Sequence, residues 1–349
     1  YDDFLSRSDS ETGSESDSWN LSANVLWRHR LNKPGRTFSM NFNAGASGSD
    51  SENTSIRKML LQGPTGPSTN DNQMTTNDNN NSNFGGNIQY TEPLATGLTL
   101  SFRYDMRYNT SSRETAIDYY NDEKFSSLLR HDERNSNTYD QTTLRNSGEI
   151  GLNFNRKTLR INTTVNFQSN TLEGDQDYYL MGDADKKIYN INTKKTYFSV
   201  LPNMRIEYRT GGGTQFRVNY RMSTRNPSIQ NLQKSVNTTN PLSYSTGNPD
   251  LDQSISHSLD FNVIYTNTET AQNLMFFGRL SASQKDISTQ TIYNRTKEEM
   301  AFADIDPKYG FGDDIFKNLK LASGGRASRP INRDGSKNAF LNVGWGFPF

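Results

Sequence analysis

Apolar side chains recur at every second position over long stretches of this chain, and the fold follows from that period. In Trp19, Leu21, Ala23, Val25 and Trp27 each odd position is apolar, while Asn20, Ser22, Asn24 and Arg28 lie between and beside them. Successive side chains of a β-strand point to opposite faces, so this alternation specifies a strand with one greasy and one wet face. Lys33-Pro34-Gly35 then makes a turn. Phe38, Met40, Phe42, Ala44 and Ala46 follow, alternating with Ser39, Asn41 and Asn43, which completes a hairpin.

The same unit recurs. Phe84 to Tyr90 and Leu98 to Tyr108 flank a turn at 93–97. Leu144 to Phe154 and Leu159 to Phe167 flank 155–158, and Val200 to Tyr208 and Phe216 to Met222 flank Thr210–Gly213. Leu259 to Tyr265 and Leu274 to Ala282 flank 266–271, and a last strand carries Leu341, Val343, Trp345, Phe347 and Phe349. This gives eleven strands and a stub at Tyr1–Ser6. Connections alternate between short turns (31–36, 93–97, 155–158, 209–213, 266–271) and long polar loops expected at 47–83, 110–140, 170–196, 225–254 and 285–336. A soluble sandwich has no reason to lengthen every second loop, whereas outer-membrane barrels have short periplasmic turns and long extracellular loops. The strands clear the roughly 9–11 residues needed to cross a bilayer. The fold class is therefore all-β: an antiparallel transmembrane outer-membrane β-barrel, with residues 1–349 forming one barrel region.

Composition agrees. Mean hydropathy is −0.87, yet aromatics reach 11%, which suits a wall with one apolar and one polar face. The 38 basic and 38 acidic residues cancel and give no reason to expect nucleic acid. No run approaches the ~20 apolar residues of a membrane helix. The odd strand count and the abrupt start at Tyr1 lead us to expect part of a larger barrel, with strands to come at either end.

One stretch resembles a known family. It runs from Tyr197-Phe198-Ser199-Val200-Leu201-Pro202 through Asn219-Tyr220-Arg221 to Arg225-Asn226-Pro227-Ser228-Ile229-Gln230-Asn231-Leu232, then Gly247-Asn248-Pro249-Asp250-Leu251 and the strand His257 to Tyr265. This is similar to the barrel of TonB-dependent outer-membrane receptors, and most of all to the outer membrane protein beta-barrel family, whose chains begin with a carboxypeptidase-regulatory-like domain and a plug. The resemblance implies a 22-stranded barrel, with this chain supplying about 11–12 strands, and import of a scarce bulky nutrient such as an iron chelate, glycan or peptide. It implies outer-membrane lipid, a plug domain, the TonB complex and a surface lipoprotein as partners, and no cofactor. A passive porin and a secreted β-rich adhesin or glycan-binding module are the alternatives. Gly346-Phe347-Pro348-Phe349 reads either as a barrel-assembly signal at a true end or, the reading preferred here, as a cut within a longer barrel.

Within the motif Arg225, Pro227, Ser228, Leu232, Gly247, Asn248, Pro249 and Leu251 read as structural: Gly247 and Asn248 suit a turn, and Pro249 offers no N–H to a ladder. Pro202 reads as a strand beginning or a bulge. The tract Asn77–Asn83 reads as a solvated, partly disordered loop. His29, His131 and His257 are scattered. Asp175, Asp177, Asp183 and Asp185 share one loop but lack an EF-loop pattern, so no metal is expected. Gly211-Gly212-Gly213 is a turn, and no nucleophile–base pairing suggests an enzyme. The polar strips instead carry Arg28, Arg103, Arg107, Arg145, Arg160, Arg205, Arg217, Arg221 and Arg279 against fewer acids: Asp105, Glu149, Glu207 and Asp260. These arginines are candidates to face the lumen and hold a plug through fork-like pairing with its carboxylates.

Overall fold

A computed structural model describes residues 6–61, 68–132, 136–179, 188–210, 213–233, 236–240, 242–267, 269–270, 272–306, 309–311 and 320–346. The meander opens with β1 (Ser6–Arg30), β2 (Thr37–Leu61), β3 (Ser68–Ala95) and β4 (Leu98–Tyr120). A short strand β5 (Leu128–His131) folds back on β4. β6 (Asn137–Asn155), β7 (Leu159–Tyr179), β8 (Ile188–Arg209) and β9 (Gln215–Arg225) continue it. A folded segment follows, with helix α1 (Ile229–Leu232), β10 (Val236–Asn240) and β11 (Ser243–Thr246). β12 (Ser254–Asn267) and β13 (Gln272–Gln284) rejoin the wall. A second folded segment holds β14 (Asp286–Tyr293), β15 (Met300–Ala301), β16 (Lys320–Leu321) and β17 (Arg326–Arg333), and β18 (Lys337–Gly346) closes the path.

The main sheet has 12 strands in the order β1-β2-β3-β4-β6-β7-β8-β9-β12-β13-β18, with β5 beside β4. β10-β11-β17-β14 form a separate sheet and β15-β16 a third. Every neighbouring pair on the main path is antiparallel. The short turns between its hairpins are compact. Gly97 has φ +78° and Gly213 φ +87°, and a Cβ on either would lie 2.3 Å from Asn155 O or 2.5 Å from Thr266 O, so only glycine lets each turn rest on the next. Gly211 and Gly212 lie outside the described residues, as do 1–5 of the expected stub and Phe347–Phe349.

Register turns the period-two pattern into two faces. One row across the wall reads Trp27, Met40, Ile88, Tyr104, Gly148, Phe167, Val200. The row beside it reads Arg28, Ser39, Gln89, Arg103, Glu149, Asn166, Leu201. Six Trp and Tyr side chains on the apolar face lie at two levels. Trp27, Tyr208, Tyr265 and Trp345 lie within three residues of the short-turn strand ends, at Arg30, Arg209, Asn267 and Gly346. Trp19 lies eleven residues from Arg30 and Tyr108 ten from Leu98. Tyr90 and Tyr104 lie between the two levels. Their hydroxyls are satisfied locally, Tyr90 by Glu92 at 2.6 Å and Tyr104 by Asn146 at 2.8 Å.

Three of the long loops expected from polarity are instead strand. β2, β3 and β4 continue through 47–61, 68–83 and 110–120, and β7 and β8 cover most of 170–196. Polarity on both faces signals a strand with water on both faces as readily as a loop, and ladder hydrogen bonds hold it. The tract Asn77–Asn83 is thus no disordered loop: it lies inside β3, paired with β2 and β4, and Asn77 Oδ1 accepts from Arg113 at 2.9 Å and Thr115 at 3.0 Å. On the outward side of this extension Asp17, Asp50, Asp78 and Glu114 lie directly opposite one another across four strands. The loops at 225–254 and 285–336 carry the two folded segments instead of irregular chain. Pro202 is neither a strand start nor a bulge. It pairs with Val165 in mid-β8, and the β8–β9 ladder begins just past it, at Asn203 opposite Arg221. A residue without an N–H sits where pairing on that side stops.

Candidate functional site: the polar face and its cap

All nine arginines singled out from the sequence fall on the polar face by register. Five already have carboxylate partners in the wall. Arg103 and Arg107 approach Asp105 at 3.7 and 3.3 Å, Arg205 and Arg217 approach Glu207 at 3.7 and 3.5 Å, and Arg279 Nε lies 2.5 Å from Asp260. Arg209, not singled out earlier, holds Glu207 most closely, at 2.7 Å. Arg160 Nε donates to Asn155 at 3.1 Å. Arg28, Arg145 and Arg221 have no ion pair or hydrogen bond among the described residues, and Arg107 and Arg145 stand directly opposite each other. In the part of the sheet between the two aromatic levels, four buried polar atoms have no hydrogen-bond partner among the described residues: Asn41 Oδ1, Arg145 Nε, Asn166 Oδ1 and Arg217 Nε. All four lie on the polar face. Arg103, Asp105, Arg107, Arg145, Ser147, Glu149 and Asn166 together line a polar recess there.

The segment after β9 folds onto this same face. Ser228 caps α1, its Oγ accepting from Asn231 N at 3.3 Å. The helix presents Ile229 and Leu232, which pack with Leu251 against Tyr139, Leu172 and Tyr197. Those last three sit on the polar side of β6, β7 and β8. Ile229, Leu232 and Leu251 are fully buried. Gly247 is required by contact: a Cβ would lie 2.0 Å from Gln233 O and within 3 Å of Gln230 and Asn231 carbonyls. Asn248 bridges segments, its backbone N–H donating to Asn231 O at 2.5 Å and its amide to Pro330 O at 3.1 Å. The wall holds the segment by its carbonyls. Lys195 Nζ donates to Pro249 O at 2.8 Å and Leu251 O at 2.7 Å, and Tyr197 Oη donates to Leu251 O at 2.8 Å. Burial pushes the phenols of Tyr197 and Tyr139 above their usual range, so both stay protonated and Tyr197 keeps the proton it donates to Leu251 O. Pro227 is buried, and Arg225 ends β9 opposite Ser254.

A second core, Tyr244, Phe302, Ile305, Phe311, Leu321 and Ala327, ties the two folded segments together. Strand β14 joins the cores, with Ile287 packed on the first and Ile292 on the second. Asn294 is almost fully buried and its amide reaches Leu321 O and Ala322 O at 2.9 and 3.1 Å. Sequence reasoning missed this cap. Its signal was present: Tyr139, Leu172 and Tyr197 are large apolar residues on the polar strip.

Other candidates do not converge. His29 stacks on Trp27, His131 meets Asp118 at 2.7 Å and His257 meets Tyr220 at 3.0 Å, at three separate places. Asp175 and Asp177 lie in β7 instead of a loop and accept from Asn192 and Asn190, while Asp183 and Asp185 lie outside the described residues. Among the described residues no group of three or more His, Cys, Asp or Glu is placed to hold a metal.

The sheet is similar to solved outer-membrane receptors. It superposes on the ferric-catecholate import receptor Fiu of E. coli K12 with a TM-score of 0.54 at 11% identity, covering 79% of this chain and 42% of that one. The hemophore receptor HasR of Serratia marcescens gives 0.46 at 12% identity, covering 94% and 51%, and the ferric yersiniabactin uptake receptor FyuA of Yersinia pestis gives 0.44 at 9%, covering 72% and 36%. The chain thus spans about half or less of each receptor. No curated protein matches the sequence. The sequence matches the outer membrane protein beta-barrel family over residues 29–343, which is most of the chain. With its two-faced antiparallel wall and paired aromatic levels, the chain belongs to the outer membrane protein beta-barrel family.

Proposed function

We propose that this chain forms part of the barrel wall of a TonB-dependent transporter that imports a scarce bulky nutrient: an iron chelate, a glycan or a peptide. The observation that carries the reading is the arginine-rich polar face, where Arg28, Arg145 and Arg221 have no ion pair among the described residues and Arg103, Asp105, Arg107, Arg145, Ser147, Glu149 and Asn166 line an open polar recess. Guanidinium groups left without carboxylates match the carboxylates and carbonyls of a further protein layer, which supports a face that lies against more protein. A plug inside a barrel of about 22 strands supplies that protein, and Arg28, Arg145 and Arg221 are its anchoring residues, since the other arginines have partners already. The long hairpins and the cap then face the cell exterior and the short turns the periplasm. Coupling to the TonB complex, and a surface lipoprotein over the mouth, belong to the same reading.

The test is uptake. Cells lacking the gene are offered iron chelates, glycans and peptides as sole nutrient sources, beside cells whose inner-membrane energy coupling is inactivated. One nutrient class is expected to fail in both strains. Steady ion conductance by the purified complete protein, with no energy-dependent uptake of any class, would replace the transporter by a passive porin.

A further inference from the structure

The outward face carries a cleft that transport does not use. It lies where β9, β12, β13 and β18 run side by side, with a volume of about 370 Å³. Its floor is apolar: Leu259 pairs with Leu280, which pairs with Ala339, and Tyr220 flanks Leu259. One row further toward the long-hairpin side the pattern changes, with His257 opposite Ala282 and Ala282 opposite Lys337. Height can be counted from the short-turn ends. His257 lies ten residues from Asn267 and Lys337 nine from Gly346. A tilted strand crosses the hydrocarbon in about 9–11 residues, so both side chains stand at the far edge of the apolar band, at headgroup level. Lys337 is exposed and has no carboxylate within ion-pair distance among the described residues. His257 is held by Tyr220, with Nδ1 and Oη 3.0 Å apart, which leaves Nε2 as the ring's remaining polar atom.

We infer that this cleft holds an anionic, phosphate-bearing lipid of the leaflet on the long-hairpin side, its acyl chain along Leu259, Leu280 and Ala339 and its phosphate at Lys337 and His257. Hydrocarbon covers an apolar floor on a lipid-facing wall, and an unpaired cation at headgroup level complements a lipid phosphate. Basic residues near an anionic membrane surface contribute about 1 kcal/mol each, about a fivefold preference.

The experiment is native mass spectrometry of the complete protein in detergent, titrated separately with phosphatidylglycerol, phosphatidylcholine and inorganic phosphate. Retention of phosphatidylglycerol over phosphatidylcholine is expected, and Lys337→Gln should reduce that preference about fivefold. Leu280→Trp, which fills the floor, should weaken both lipids, and Lys194→Gln, an exposed lysine elsewhere, should change nothing. Heat-modifiable gel mobility confirms that each barrel is folded. Because Lys337 is exposed, its variant keeps the test decisive even if the tryptophan variant fails to fold. Equal retention of the two lipids, or a Lys337→Gln protein indistinguishable from wild type, overturns the proposal. So does displacement of phosphatidylglycerol by an equal concentration of inorganic phosphate, which would make the site one for a free anion.

Discussion

Replacing Phe102 with arginine places a cation on the lipid side of the wall at a depth the strand geometry defines. Phe102 is 43% exposed on the outward face, between Tyr90 and Ile150. It lies four residues from Leu98, the short-turn end of β4. At ~3.4 Å per residue that is about 14 Å along the strand, and with a tilt of about 40° roughly 10 Å into an apolar band about 25 Å tall. Arginine at the bilayer midplane of such barrels costs about 2–4 kcal/mol, with less toward the interfaces. At this depth we expect about 2–3 kcal/mol, roughly a 30- to 150-fold loss in the folding equilibrium. The control is Asn87→Arg, on the opposite face between Asn41 and Asp105, which should cost less than about 1 kcal/mol because lumen substitutions are tolerated. Both are measured by urea titration of the complete protein refolded into phospholipid vesicles. A Phe102→Arg protein within ~0.5 kcal/mol of wild type, or a larger loss for Asn87→Arg, would refute the assignment of faces.

Leu251→Ala should cost about 2–5 kcal/mol of local stability, because Leu251 is fully buried among Tyr139, Leu172 and Tyr197; hydrogen exchange should then speed up in 226–254 but not in β1–β4. Asp78→Asn should stabilise the long hairpins by about 0.2–1 kcal/mol, since Asp78 stands between Asp50 and Glu114, and the gain should shrink in high salt when read from thermal melting. At the short-turn rim Arg36, Lys33 and Tyr90 bond to Glu92 and hold its carboxyl well below the usual range. A depressed folded-state pKa gives stability that is present above the unfolded value of about 4.3 and lost as pH falls toward the folded one; acid melting curves of Glu92→Gln should therefore show a smaller loss than wild type below that pH.

The wall was legible because one rule, side-chain alternation, governs every strand that has lipid on one side. Trp19 to Trp27 or Leu98 to Tyr108 show it without help from distant residues. The rule goes silent where both faces meet water. Ser6–Ser18 and Asn72–Asn83 are strand because neighbours on the sheet complete their ladders, a long-range cause that local polarity cannot report. The cap was hidden for a related reason. Ile229, Leu232 and Leu251 are isolated apolar residues in polar surroundings, and they acquire a core only when the chain folds back over Tyr139, Leu172 and Tyr197. The arginines share one strip by alternation alone, but their pairing with Asp105 and Glu207 depends on register and on single-residue offsets along a strand.

The seam that ends at Pro202 has a consequence for how this protein must be handled by the cell. Above that residue the β9-facing side of β8 offers backbone donors and acceptors with no neighbouring strand among the described residues. Gln253 stands in for one, its amide donating to Phe198 O at 3.1 Å while its Oε1 accepts from Ser199 at 3.0 Å. Unpaired strand edges template pairing with other chains. A barrel whose cap has not yet docked would therefore be sticky at one defined place, and copies crowded together during assembly would zip edge to edge along β8. Docking of Leu251 and Gln253 is, in that light, what makes a finished barrel safe among its own kind.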